Sequence, residues 1–272
     1  MDLRQLMAGS IAGTLSTAVC HPIDLVKVRL QTDARADFRS RSFLHTFKVL
    51  KELKSLYGIR AWYQGWGANV AGAMSSWGLY FMFYEYLKAN YQGELGYLGS
   101  SALAGGMTQL ITNPIWLAKT RLCVQVPDGN PENYKGLVDC LRRTFNREGT
   151  RGIYRGLIPG LMSTSHGAIH FYFYEHLKMR LRSHIQNDSA YFFICSASSK
   201  AVALGITYPL QVIRSRVQVT NLNTISSVIK SFIHKEGLLT GAYKGLGPTL
   251  LRVLPSTCIT LITYENVIKL LK

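Results

Sequence analysis

The sequence is poor in acidic residues. Its 15 Asp and Glu stand against 31 Lys and Arg, which gives a formal net charge of +16. Charged residues make up only 17% of the chain, below the roughly 25% that is typical of soluble domains. A small charged fraction with a basic excess is expected of two classes. One class binds nucleic acid, and the other lies in a membrane with basic loops near anionic lipid.

Several other signals are weak or missing. No stretch of about 18 residues is purely apolar and the mean hydropathy is +0.07, so the simple transmembrane signal is weak. The five cysteines are odd in number and form no CxxC pair, which argues against a disulfide framework or a zinc site. No signal peptide is expected, because Met7 already lies in the first apolar helical pattern. No phosphate-loop motif and no nucleophile–base–acid arrangement is found, so no enzyme is predicted.

The chain does contain a motif that occurs three times. HPIDLVKVRLQ, NPIWLAKTRLCVQ and YPLQVIRSRVQ each place a base five and seven residues after a proline, namely Pro22, Pro114 and Pro209. Each copy is followed by a segment that ends in glycine, at Gly65, Gly156 and Gly245, and then by a Tyr-Glu pair. Three signals in one order, three times, predict a threefold repeat. We place the repeats at residues 1–92, 93–184 and 185–272 of one structural domain.

Each repeat has the pattern of two long helices around a shorter amphipathic one. The long segments are rich in Gly, Ala and Ser, which let helices pack closely in lipid. Six such helices around a water-filled cavity would each have a polar face, which explains the modest hydropathy. The patterning favours helices over the other membrane-spanning option, a closed barrel.

These motifs resemble the signature of mitochondrial carriers, a triplicated Pro-x-[Asp/Glu]-x-x-[Lys/Arg]-x-[Lys/Arg], and the resemblance covers nearly the whole chain. It implies an all-α membrane protein with six transmembrane helices in three pseudo-threefold repeats, three short matrix helices and a central cavity. It also implies a multi-pass monomer in the mitochondrial inner membrane, with both termini toward the intermembrane space. The implied partners are a small anionic substrate and membrane lipid, with cardiolipin as the family's lipid, and no nucleic acid.

The resemblance also implies a gate on the matrix side. The acid of one odd-numbered helix would pair with a base of the next, so Asp24 is expected to pair with Lys119. Trp116 and Gln211 occupy the other two acid positions. We expect a cation–π contact of Trp116 with Arg214 and a hydrogen bond of Gln211 with Lys27, braced by Gln31 and Gln218. Each contact would contribute only about 1 kcal/mol, although Asp24 and Lys27 are also spaced to pair within one helix.

A second gate is implied on the cytoplasmic side. Lys88 is expected to pair with Glu175, and Lys178 with Glu265. The remaining acid of this set, Glu85, would face an apolar side chain instead of a base.

Candidate substrate contacts follow from the same resemblance. Trp116 and the tracts SSWGLYF and LLRVLPSTCIT resemble the subgroup of carriers for FAD, folate, NAD and pyrimidine nucleotides. Arg252 and Lys200 are cations within spans and would hold an anion, although structural pairing is the alternative. Trp77 would stack on a flat ring, or else pack or face lipid. The other predicted contacts are small or polar residues of the even-numbered helices: Gly72, Ala73, Ser163, Thr164 and His166.

Together these features predict transport of FAD across the mitochondrial inner membrane by alternating access. FAD would be the cargo, and no cofactor or metal site is expected, because isolated histidines make poor metal ligands. A carrier of folate, NAD or pyrimidine nucleotides is the alternative within the family. A soluble, basic helical-repeat protein that binds nucleic acid is the alternative from a different class.

Overall fold

The computed structural model describes residues 3–32, 43–90, 94–126, 128, 130–182, 188–219 and 224–270. Every regular element in these ranges is helical. A 3₁₀ turn at Ile59–Tyr63 and a π-helical turn at Phe232–Glu236 accompany the α-helices. The α-helices are α1 Leu3–Thr32, α2 Phe43–Tyr57, α3 Trp66–Asn90, α4 Glu94–Val124, α5 Leu137–Ile153, α6 Leu157–Ser163, α7 Ser165–Leu181, α8 Asp188–Val219, α9 Ile225–Ser231, α10 Leu238–Ala242 and α11 Leu246–Leu270.

Within the described ranges, the chain forms three sets of a long, a short and a second long helical unit, in the order that the repeat predicts. The long units are α1, α3, α4, α6 with α7, α8 and α11, and a turn at Thr164 separates α6 from α7. A helix of 25 residues such as α3 is about 37 Å long at 1.5 Å per residue, which exceeds the roughly 30 Å hydrocarbon core of a bilayer. The all-α carrier fold predicted from the sequence is confirmed.

The apolar surface of the long helices is largely uncovered. Large side chains such as Ile11, Leu15, Val19, Phe171 and Ile206 are exposed. Continuous apolar surface of this kind fits a lipid environment better than water. Within the described ranges, one segment, Leu239–Leu270, is long and apolar enough to span a membrane by length and composition alone.

If the six long units are numbered in chain order, the first, third and fifth are α1, α4 and α8; we call these the odd-numbered helices and the other three the even-numbered units. The three odd-numbered helices contact one another near their C-terminal ends. Each contains one of the repeated prolines inside the helix, which removes a backbone hydrogen bond at that point. Buried residues concentrate beyond these prolines, including Leu25, Leu117 and Val212, all at 0% exposure. The even-numbered units pack mainly along an odd-numbered neighbour: α11 against α1, α3 against α4 and α7 against α8.

Glycine marks the start of each even-numbered unit. Gly65, Gly156 and Gly245 have φ between 73° and 83°, a left-handed conformation that favours glycine. A Cβ at Gly65 would lie 3.3 Å from the carbonyl oxygen of Lys119 on the next odd helix, and the other two meet Arg214 and Lys27 in the same way. Each repeat is thereby fitted to its neighbour, which closes the threefold ring.

Candidate functional site

A cavity of about 510 Å³ lies between the long helices, and each of the six long units contributes to its lining. All eight residues predicted for the matrix gate line it. We call the part formed by Asp24, Lys27, Trp116, Lys119, Gln211 and Arg214 the cavity floor.

The charges that line the cavity are mainly positive. Among the described lining residues, Lys27, Lys119, Arg214 and Arg252 provide four cations, and Asp24 provides the single carboxylate. The lining therefore has a net charge of +3, with the other lining residues neutral. A positive, partly enclosed cavity attracts anions because its low-dielectric walls weaken screening.

The structure corrects the expected partner of Asp24. Its Oδ1 lies 2.8 Å from Nη1 of Arg252 on α11, and Asp24 is nearly buried. Among the described residues, no ion pair joins Asp24 to Lys119 or to Lys27. The physical reason is the close packing of α11 along α1, which brings the guanidinium to the carboxylate.

The other two contacts of the matrix gate have different outcomes. Lys27 donates from Nζ to Oε1 of Gln211 at 3.2 Å, as predicted. Trp116 instead donates from Nε1 to Oγ of Ser76 at 3.1 Å. Arg214 donates to Oε1 of Gln109 at 3.4 Å, and within the described chain the expected cation–π pair with Trp116 is not formed. The indole is held by α3, which draws it away from α8.

The bracing glutamines connect neighbouring odd helices. Gln31 accepts a hydrogen bond from Ser215 at 2.9 Å, and Gln218 accepts one from Thr120 at 2.8 Å. The third position is Cys123, whose thiol contacts the carbonyl of Gln64 at 3.4 Å.

Five of the eight predicted substrate contacts line the cavity: Ala73, Trp77, Ser163, His166 and Arg252. The other three do not. Gly72 is buried behind Trp116, Thr164 is exposed and donates to the carbonyl of Leu161, and Lys200 is exposed.

Two polar lining residues already have hydrogen-bond partners. Ser163 donates to the carbonyl of Pro159 at 2.7 Å, and Nδ1 of His166 lies 3.0 Å from Oγ1 of Thr207. These contacts fix the orientation of both side chains.

Trp77 provides an aromatic surface on the cavity wall. Its side chain is 64% exposed, and its ring stacks on Phe81 with 5.8 Å between centroids and 24° between planes. Tyr80 meets Trp77 edge-on at 6.4 Å. The two neighbours support the indole while leaving one face accessible to a flat ring.

A ring of arginines that was not predicted from the sequence lies below the floor. The second base of each repeated motif, Arg29, Arg121 and Arg216, donates from Nε to a backbone carbonyl of the next odd helix. The acceptors are Cys123, Gln218 and Gln31, at 2.9, 2.9 and 2.8 Å. This ring closes the end of the cavity at which α1, α4 and α8 end. The threefold recurrence of a base seven residues after proline was the available signal.

Two of these arginines also form bidentate ion pairs, in which the guanidinium contacts both oxygens of one carboxylate. Arg121 contacts both carboxylate oxygens of Glu148 at 2.7 and 3.0 Å. Arg216 contacts both oxygens of Glu236 at 2.7 and 2.9 Å, with side-chain exposures of only 3% and 4%.

The ion pairs lower the pKa of both carboxyl groups. Burial by itself raises the pKa of Glu148, but hydrogen bonds and charge from Arg121, with the charge of Arg155, hold it below its ordinary value. The same balance applies to Glu236, where Arg216 and Lys244 lower the pKa against the effect of burial. Both glutamates are therefore ionised at neutral pH and neutralise the arginines beside them.

The predicted cytoplasmic pairs are not formed in this structure. Glu175 pairs at 3.7 Å with Lys178 of its own helix rather than with Lys88. Lys88 lies over the rings of Tyr84 and Tyr97, and no ion pair of the described residues joins Lys178 to Glu265. Glu85 is exposed. The even-numbered helices pack on odd-numbered neighbours, which leaves these charges on separate helices without contact.

Comparison with known proteins agrees with this architecture. The mitochondrial carrier protein family matches residues 2–95, 95–185 and 186–272. "Folate transporter 1, chloroplastic" of Arabidopsis thaliana is 38% identical over 97% of this chain and 94% of its own. "Mitochondrial nicotinamide adenine dinucleotide transporter 1" of Saccharomyces cerevisiae is 32% identical over 95% of this chain and 74% of its own. "Mitochondrial FAD carrier protein FLX1" of the same yeast is 31% identical over 97% and 95%.

These matches argue against the alternative of a soluble nucleic-acid-binding repeat protein, because the relatives are named as carriers and transporters. They agree with the threefold motif, the six long helical units and the charged central cavity. The resemblance to mitochondrial carriers predicted from the sequence is confirmed, and the chain belongs to the mitochondrial carrier protein family.

Proposed function

We propose that this chain transports FAD across the mitochondrial inner membrane by alternating access. The observation that carries the proposal is the cavity, whose net charge of +3 lies beside the accessible face of Trp77. FAD combines a flat ring system with a doubly negative pyrophosphate, so its two ends match these two features. The cavity volume of about 510 Å³ is within the range of roughly 300–1,000 Å³ that is common for ligand sites.

The lining residues take separate roles in this proposal. Trp77 stacks on the ring, and Ser163 on α6 and His166 on α7 recognise its polar edge. Arg252 and the floor cations attract the phosphates. Arg252 is already bound to Asp24 at 2.8 Å, so an approaching anion competes with that carboxylate. Binding would then weaken a contact between α1 and α11.

The transport cycle requires the two ends to open in turn. In this structure the arginine ring closes one end, while the described residues Lys88, Glu175, Lys178 and Glu265 at the other end form no ion pair between helices. We infer that Lys88–Glu175 and Lys178–Glu265 pairs form when the cavity faces the matrix. Binding energy then offsets the loss of contacts at one end as contacts form at the other.

Placement in the membrane follows from the same proposal. The chain would cross the mitochondrial inner membrane six times as a monomer, with both termini toward the intermembrane space. The short helices would lie on the matrix side, where their exposed bases, including Lys48, Lys51 and Lys54, can meet anionic lipid such as cardiolipin.

Folate is the second candidate substrate. The relative named as a folate transporter is 38% identical to this chain, against 31% for the relative named as an FAD carrier. Folate also has a flat ring system and a carboxylate-bearing tail, so the same cavity features suit it. NAD and pyrimidine nucleotides share the anionic groups and belong in the same substrate panel.

The test is uptake by liposomes that contain the purified full chain. FAD, FMN, folate, NAD and pyrimidine nucleotides are compared at equal concentration, with protein-free liposomes as the background. We expect FAD to give the highest rate and Arg252→Ala to reduce it. Lys135→Gln, which changes an exposed cation in the loop before α5 and outside the cavity, is the matched control. Higher uptake of folate than of FAD would replace FAD by folate as the cargo.

A further inference from the structure

The cavity floor has an incomplete threefold set of charges. The basic position is filled in every repeat, by Lys27, Lys119 and Arg214, and all three side chains line the cavity. The acidic position is filled only once, because Trp116 and Gln211 replace the other two acids. The remaining acid, Asp24, forms its ion pair with Arg252. Two carboxylates are thus missing from the floor.

Two of the three basic side chains donate hydrogen bonds to neutral acceptors. Lys27 donates to the side-chain amide of Gln211, and Arg214 donates to that of Gln109. Nη2 of Arg214 is out of contact with solvent and has no hydrogen-bond partner among the residues that the structure describes. Among the described residues, no carboxylate forms an ion pair with Lys27, Lys119 or Arg214. Their positive charges are therefore uncompensated within the cavity.

Uncompensated cations that share one cavity repel each other and bind anions readily. Coulomb repulsion grows as the effective dielectric constant falls, so charges beneath a partly enclosed cavity interact more strongly than on an open surface. Lysine and arginine are the usual protein ligands for phosphate and carboxylate groups. An anion with two negative charges would replace the two missing carboxylates one for one.

We propose that the floor binds a doubly negative group of the transported anion between Lys27, Lys119 and Arg214, in place of the carboxylates that Trp116 and Gln211 lack. Only the statement that this anion is cargo rests on the proposed function. The pyrophosphate of FAD and a pair of carboxylates both fit this chemical class. The three floor cations bind the anion before Arg252 does, because Asp24 already neutralises Arg252.

The position of Trp77 agrees with this placement. Trp116 of the floor donates its indole N–H to Ser76, the residue next to Trp77 on α3. The aromatic surface of Trp77 is therefore adjacent to the floor along α3. A substrate that stacks on Trp77 has its charged group directed toward the three cations, so the ligand spans both features at once.

Pyrophosphate is a suitable probe because it needs no ring-binding site. We expect it to raise the thermal unfolding midpoint of the purified full chain in detergent in a saturable manner. Sodium chloride at equal ionic strength serves as the reference. Lys119→Gln should weaken the apparent affinity roughly tenfold, because a hydrogen bond to a charged group is worth about one decade. Lys135→Gln, an exposed lysine in the loop before α5 and outside the cavity, should retain the effect of the wild-type chain.

Gln211→Glu gives a sharper result, since its two expected effects have opposite signs. The new carboxylate would pair with Lys27, so the midpoint without ligand should rise while the affinity for pyrophosphate falls roughly tenfold. Gln211→Met, a neutral change of similar size, should not raise that midpoint. A general loss of folding cannot produce the Gln211→Glu pattern.

The outcomes separate this inference from the proposed function. Absence of a pyrophosphate effect beyond that of chloride, or a wild-type affinity for pyrophosphate in Gln211→Glu and Lys119→Gln, overturns the floor site. If pyrophosphate raises the unfolding midpoint and Lys119→Gln and Gln211→Glu weaken this effect, but FAD is not taken up, the floor site stands and the proposed cargo is wrong. If FAD is taken up with the same KM by Lys119→Gln and Lys135→Gln, FAD stands and the floor site is overturned.

Discussion

The three corners of the arginine ring differ in their charged contacts. At the corners between α4 and α8 and between α8 and α1, Arg121 and Arg216 have a glutamate partner in addition to a carbonyl acceptor. At the corner between α1 and α4, Arg29 donates only to neutral oxygens, namely the carbonyls of Cys123 and Gln125 and the side chain of Gln64.

The sequence explains the difference. The glutamate before glycine in EGT and EGL of the second and third repeats is replaced by Tyr57 in YGI of the first. Tyr57 packs against the apolar cluster of Val26, Leu53 and their neighbours. The first corner thus exchanges an ion pair for apolar packing. Because its polar contacts are all to neutral acceptors, we expect this corner to separate first when the matrix end opens.

The largest effect is expected from breaking the most buried ion pair. Glu236→Ala removes the carboxylate that contacts the buried Arg216 through both of its oxygens, and it should destabilise the chain by about 3–5 kcal/mol. Glu148→Ala should cost less, because Glu148 is 23% exposed and water can reach it. Thermal unfolding of the purified protein in detergent measures both, with the exposed Glu52→Ala as control. Equal midpoints for Glu236→Ala and Glu52→Ala would contradict the stabilising role of the buried Arg216–Glu236 ion pair.

The same glutamates predict a pH dependence. Their pKa values are lowered in the folded chain, so the stability they provide is present above the ordinary value near 4.5 and is lost as pH falls through the lowered values. The wild-type midpoint should therefore fall more steeply on acidification below that value than the midpoint of a Glu148→Gln, Glu236→Gln chain. Parallel curves for the two proteins would show that these carboxyl groups do not titrate as described.

Converting the first corner into the type of the other two is a further test. Tyr57→Glu places a carboxylate near Arg29 but removes apolar packing, so the single change alone is not informative. A double-mutant cycle with Arg29→Gln isolates the new pair, and we expect a favourable coupling of about 1.5 kcal/mol. Zero coupling would mean that the corner differs in geometry and not only in charge.

The smallest effect concerns the bracing contacts. Thr120→Val removes the hydrogen bond to Gln218 and should cost about 1 kcal/mol. Ser55→Ala, which loses an exposed hydroxyl contact within α2, should be close to neutral. The difference in unfolding midpoint between these two variants measures the contribution of the Thr120–Gln218 hydrogen bond. Equal midpoints would show that this hydrogen bond does not stabilise the closed end.

Much of this molecule could be predicted from short sequence patterns. The helices, their order and the residues around the floor follow from a motif repeated three times, because periodicity and proline position act locally. The contacts that Asp24, Trp116 and the cytoplasmic lysines make in the structure could not be predicted from these patterns. A motif gives the chemistry at a position, whereas a long side chain selects its partner among groups that other helices bring within reach.

The sequence by itself determined the threefold helical architecture, the excess of positive charge and the absence of two acids from the gate. Only the tertiary structure decided that Asp24 binds Arg252, that Trp116 turns to Ser76 and that the second base of each motif closes the ring. The physical reason is that ion pairs and hydrogen bonds need contact distances of about 3 Å. Helix packing sets those distances between residues far apart in the chain.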